Sequence, residues 1–205
     1  MAICKGDPLL GALSIHEAIG IWLASMLVTL ASGLWLEAQI LPLLGVAGGY
    51  GFAAINAVID ASTLKLAKLW THLSFALVSL SFAGVTYHNR AWEDAFGAIS
   101  AAVCLTGCYW LLHRMNPSAL GVGDVRLSLP LALSVAMAQP QSVLLMALFA
   151  SAIQCVPFLG CWASRWRPAT QIALCLENRQ YSRLVLPFGP ALVAGAWIAW
   201  LISLP

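Results

Sequence analysis

The chain has 205 residues, of which 61% are hydrophobic and only 9% charged, with a formal net charge of +2 and a mean hydropathy of +0.86. A soluble domain carries about 25% charged residues, so a water-soluble globule is excluded, as are collagen-like, disordered and disulfide-rich secreted chains. Ten basic and eight acidic residues are too few for a nucleic-acid footprint, and the composition is that of an integral membrane protein with one domain over residues 1–205.

Seven apolar stretches follow one another at 15–36, 40–59, 69–87, 95–112, 127–138, 142–162 and 184–204, each bounded by Pro, Gly or charged residues. The first follows a basic amino end and reaches Ala31-Ser32-Gly33, a combination found in signal peptides. Its apolar run begins late and continues past that point, so an uncleaved helix is expected. Backbone groups in lipid must be satisfied within their own segment, and no alternating pattern points to a barrel. An all-α polytopic fold of about seven spans, within a range of six to eight, is therefore expected. The basic residues set the orientation, because cytoplasmic loops collect Lys and Arg. A cytoplasmic amino terminus puts Lys5, Lys65, Lys68, Arg114, Arg126, Arg165, Arg167, Arg179 and Arg183 inside and leaves Arg90 alone outside. Dropping the short fifth stretch would reverse the side of the 165–183 segment, so the charge pattern argues for keeping it. That segment contains Leu174, Leu176 and Tyr181 and is expected to lie along the inner surface as an interfacial helix.

Carboxylates near a membrane are expensive to place and therefore informative. Asp60 ends the second stretch, and Asp124 opens the fifth within Gly121-Val122-Gly123-Asp124-Val125-Arg126. Two spans lie between them, so both return to the cytoplasmic end and can face one another. Two carboxylates sharing a site do not both ionise readily; one stays protonated while the other stays charged. Such a pair can activate water against a peptide carbonyl, the charged partner taking a proton and the neutral one giving one, without a nucleophilic side chain. Gly121 and Gly123 would allow a backbone or an extended substrate to approach closely. Simpler roles are open for both aspartates. Asp124 can cap a helix, and Asp60 can be a boundary residue paired with Lys65 and Lys68; a cap and a catalyst are not exclusive. A proton or cation site between helices, as in a small transporter, would use the same two residues, but both map to span ends rather than the midplane.

Other chemistry is poorly represented. His16, His72, His88 and His113 lack metal-site spacing, and the six cysteines contain no C-x-x-C pair, so no metal and no cofactor is expected. Ser32-Gly33 offers only part of a serine-protease site.

The Gly121–Arg126 stretch resembles the G-x-G-D-x-K signature of the type IV prepilin peptidases, a family of bacterial membrane aspartyl proteases. An aspartate ending an earlier span at Ile59-Asp60, the two-span interval, and Leu186-Pro187-Phe188-Gly189-Pro190 opening the last span, which is similar to the family's I-P-F-G-P stretch, occur in the expected order over residues 40–204. The resemblance implies that Asp60 and Asp124 are the catalytic pair, supported by Gly121, Gly123, Arg126, Lys65, Lys68, Pro187 and Gly189. It further implies a plasma-membrane enzyme acting at the cytoplasmic face on the leader peptide of a prepilin or pseudopilin, for pilus or secretion-system assembly. The partners implied are that substrate and the lipid bilayer, with homo-oligomerisation left open. The chain departs from the family pattern in three places. Ala67 stands where the family's proline is expected, Arg126 replaces a lysine with a planar fork, and the amino-terminal methyltransferase part is lacking. The resemblance is thus to a peptidase-only member, with a catalytically inactive homologue as the alternative.

Overall fold

The computed structural model describes residues 14–35, 40–63, 66–117, 120–163 and 187–204. They form seven α-helices: α1 (Ile15–Trp35), α2 (Ile40–Thr63), α3 (Lys68–Asn89), α4 (Trp92–Met115), α5 (Val122–Ala138), α6 (Ser142–Ala163) and α7 (Gly189–Ser203), with no strand among the described residues. The helices fall on the seven apolar stretches. Lys65 and the expected interfacial helix at 165–183 lie outside the described residues. Helices α1 to α4 are each long and apolar enough to cross a membrane.

Three helices make the interior. Helix α5 has 17 residues and buries nearly its whole circumference, from Asp124 and Val125 through Leu131 to Ala136. It packs against α3, α4, α6 and α7 and touches α2. Because protein rather than lipid surrounds it, α5 needs neither the length nor the uniform apolarity of a lipid-facing span. Its serines find partners instead: Ser134 Oγ donates to the Leu131 carbonyl at 2.7 Å and lies 3.2 Å from the Tyr50 hydroxyl. Ser128 Oγ donates to the Val125 carbonyl at 2.8 Å. Outside this centre, α1, α3, α4 and α6 expose Leu27, Leu80, Phe96 and Leu144. An apolar exterior of that extent suits lipid and would aggregate in water.

Close helix contact is achieved with small residues, as expected where lipid supplies no hydrophobic drive between helices. The α2 sequence Gly45-Val46-Ala47-Gly48-Gly49 meets α3 at Ser74, Leu77, Val78 and Ser81. Ser74 Oγ donates to the Gly49 carbonyl at 2.9 Å across this seam. On its other side α2 meets α1, where Trp22 Nε1 donates to the Gly48 carbonyl at 3.3 Å. In the α6–α7 pair a glycine meets backbone. A Cβ on Gly195 would stand 2.6 Å from the Ala150 amide nitrogen and 2.9 Å from its Cα, so backbone rather than a movable side chain would have to yield. Gly195→Ala is therefore expected to destabilise the bundle by about 1–3 kcal/mol. Thermal unfolding of the purified protein in detergent would show this as a lowered midpoint with helix content unchanged.

Candidate active site

The ends of α2, α4, α5 and α7 and the start of α3 converge at one end of the bundle, and the two aspartates lie there. Asp60 is in the last turn of α2 and 6% exposed. Its Oδ2 accepts the Gly189 N–H at 2.9 Å. Gly189 is the first residue of α7, where amides lack partners within the helix and the dipole is positive; Asp60 therefore caps a helix that begins 129 residues later. The approach requires glycine, because a Cβ at 189 would stand 2.8 Å from Asp60 Oδ2 and 3.3 Å from its Cβ. The preceding Phe188 ring meets Tyr109 of α4 edge-on at 6.1 Å. Tyr109 is buried, and its hydroxyl has no hydrogen-bond partner.

Asp124 is the third residue of α5 and 7% exposed. Its Oδ2 accepts the Gly121 N–H at 3.2 Å, while the Asp124 N–H donates to the Gly121 carbonyl at 3.1 Å. The capping role expected from sequence is thus present, and it occupies one oxygen only. The other, Oδ1, is buried with no hydrogen-bond partner. The loop ahead of α5 is pinned by His113, whose Nδ1 lies 2.8 Å from the Leu120 carbonyl. A carbonyl can only accept, so Nδ1 carries the proton of this bond.

The short connection from α2 to α3 braces both aspartates. Leu66 packs on Gly123, where a Cβ would stand 2.8 Å from Leu66 Cβ. Its neighbour Ala67 donates its N–H to Asn56 Oδ1 at 3.1 Å. Asn56 Nδ2 donates to Thr71 Oγ1 at 3.0 Å, and Thr71 Oγ1 donates to the Ala67 carbonyl at 3.3 Å. Both backbone groups of Ala67 are thereby in use. Ala67 has φ −79°, a value proline adopts, but its N–H is in use and proline has none.

Of the sequence-level candidates, the structure brings together Asp60, Asp124, Gly121, Gly123 and Gly189. Pro187 is half-buried just ahead of α7, Lys68 and Arg126 are exposed, and Lys65 lies outside the described residues. Asn56, Leu66, Tyr109 and Phe188 were not among those candidates. Asn56 alone carried a signal, since four residues before Asp60 it shares the same face of α2. Among the described residues no group of three His, Cys, Asp or Glu side chains is placed to hold a metal. The class of protein defined here is an apolar helical bundle with a carboxylate pair buried at one end. Set against family models, curated proteins and solved structures, the chain matches none.

Proposed function

We propose that this chain is a membrane-embedded aspartyl endopeptidase that removes the leader peptide of type IV prepilin-like precursors at the cytoplasmic face of a bacterial inner membrane. The observation that carries the reading is the pair itself. Two buried carboxylates, Asp60 in the last turn of α2 and Asp124 in the first turn of α5, lie at one end of an apolar bundle, and one oxygen, Asp124 Oδ1, is left unpartnered. The resemblance of Gly121–Arg126 and of Pro187–Pro190 to the prepilin peptidase motifs gives the substrate class. The concentration of Lys and Arg in alternate loops, together with seven spans and an inner amino terminus, gives the side.

In this reading the pair shares one proton. Each carboxylate accepts one amide at a helix start, Gly189 N–H on Asp60 and Gly121 N–H on Asp124, but Asp124 keeps a buried oxygen with no donor to stabilise charge on it, so in this reading the proton rests on Asp124 Oδ1. Asp60 takes a proton from water as the water oxygen bonds to the scissile carbonyl carbon, and Asp124 gives its proton to the carbonyl oxygen. The tetrahedral intermediate then collapses. The carbon–nitrogen bond breaks, Asp60 passes its proton to the leaving amine, and Asp124 recovers one from the hydroxyl. The dyad is thereby returned to its starting state, with no covalent intermediate and apparent pKa values that belong to the pair.

Co-expression with a prepilin, read by gel shift and amino-terminal sequencing, tests this directly. The unmodified chain is expected to remove the leader, whereas Asp60→Asn and Asp124→Asn should be inserted but inactive. Normal processing by either variant would remove the dyad from the mechanism. Gly189→Ala forces Asp60 away from its position and is expected to slow cleavage by about tenfold or more, with the folded bundle retained.

A further inference from the structure

A mid-helix asparagine in an apolar helix is costly unless each of its polar atoms is used. Asn56 is fully buried, and it uses both ends of its amide. Its oxygen accepts from Ala67, its nitrogen donates to Thr71, and Thr71 closes the circuit onto the Ala67 carbonyl. The three residues are 0%, 6% and 5% exposed, so water does not compete for these bonds. Residue 67 is thus held through its N–H and its carbonyl at once.

The consequence of that grip lies on either side of it. One turn along α2 from Asn56 is Asp60, on the same helical face. One residue back from Ala67 is Leu66, whose side chain packs on Gly123 beside Asp124. The ring therefore ties the helix that carries one aspartate to the connection that braces the helix carrying the other. Direct packing between α2 and α5 is slight compared with the packing of α2 on α3, so, beside α7, which packs on both, this ring is a route by which the two carboxylates are spaced. We propose that Asn56 is a positioning residue, which sets the spacing of Asp60 and Asp124 through the Asn56–Thr71–Ala67 ring without touching substrate. This rests on the reading of that pair as catalytic.

A covalent constraint can replace the hydrogen-bonded one, because the φ of −79° at Ala67 is within reach of a proline ring. That gives a test with opposite expectations in two backgrounds. Cleavage kinetics on a purified prepilin, per amount of folded membrane-inserted protein, would be measured for the unmodified chain, Asn56→Ala, Thr71→Val, Ala67→Pro and the Asn56→Ala/Ala67→Pro double variant, with Asp60→Asn as the inactive control. Asn56→Ala is expected to lower kcat by about ten- to a hundredfold, with KM changed by no more than about threefold. Thr71→Val, which keeps side-chain shape, should show a smaller loss of the same kind. Ala67→Pro should restore most of the kcat lost in Asn56→Ala and give no gain in the unmodified chain. Unchanged kcat in Asn56→Ala and Thr71→Val, beside an inactive Asp60→Asn, would overturn the positioning role and leave the peptidase reading standing. So would a loss confined to KM, or one that the proline does not mend. If the unmodified chain does not cleave, or Asp60→Asn does, the peptidase reading fails and the positioning role with it.

Discussion

The bond from the Gly189 amide to the Asp60 carboxylate is the constraint on which the rest of the site depends. A carboxylate inside an apolar bundle is a liability unless its oxygens are occupied. The free amides at a helix start are a second liability of the opposite sign. Joining them satisfies both and fixes the end of α2 to the start of α7. A Cβ at position 189 would stand 2.8 Å from Asp60 Oδ2, so keeping the carboxylate on this amide favours glycine. Tyr109 meets Phe188 next to it, which brings α4 into the same assembly.

Stability and chemistry pull in different directions at Asp124. Its Oδ2 is spent on capping α5, an arrangement open to any helix start. Its Oδ1 stabilises nothing, being buried without a partner. An acceptor in that condition costs the fold, because replacement by a neutral or apolar side chain would relieve its desolvation. Strained or unsatisfied groups of this kind gather where a substrate or water supplies the missing partner.

The helices and the aspartates were legible in the sequence for the same reason: in a chain with so few charges, both an apolar run and a carboxylate stand out. Even the short fifth stretch was recoverable from loop charge, although its length made sense only once α5 was seen enclosed by protein. The contacts that turn two aspartates into a pair were not legible. Nothing local in Leu186-Pro187-Phe188-Gly189-Pro190 says that its glycine meets Asp60, since the two are separated by most of the chain. Tyr109 sits in α4 as one more aromatic among the apolar residues. Leu66 reads as loop filler until Gly123 is seen beneath it. Arg126 and Lys68, attractive from the motif, are exposed, because the motif fixes their place in the chain and solvation decides their direction.

Position 67 shows how a backbone conformation can be held by hydrogen bonds instead of by a ring. Proline at that position would restrict φ covalently, at the loss of an N–H; alanine keeps the N–H and leaves φ to be held by other means. Here those means are a buried asparagine and a threonine, each spent on one side of the same residue. The two solutions exclude one another locally, since a ring at 67 would strand the Asn56 oxygen without its donor. A chain with alanine at 67 should therefore need a buried acceptor one turn before its first aspartate, and a chain with proline there should not. The requirement attaches to the pair of positions, 56 and 67, rather than to either alone. Ala67 is therefore to be weighed together with Asn56 and Thr71, which hold its N–H and its carbonyl.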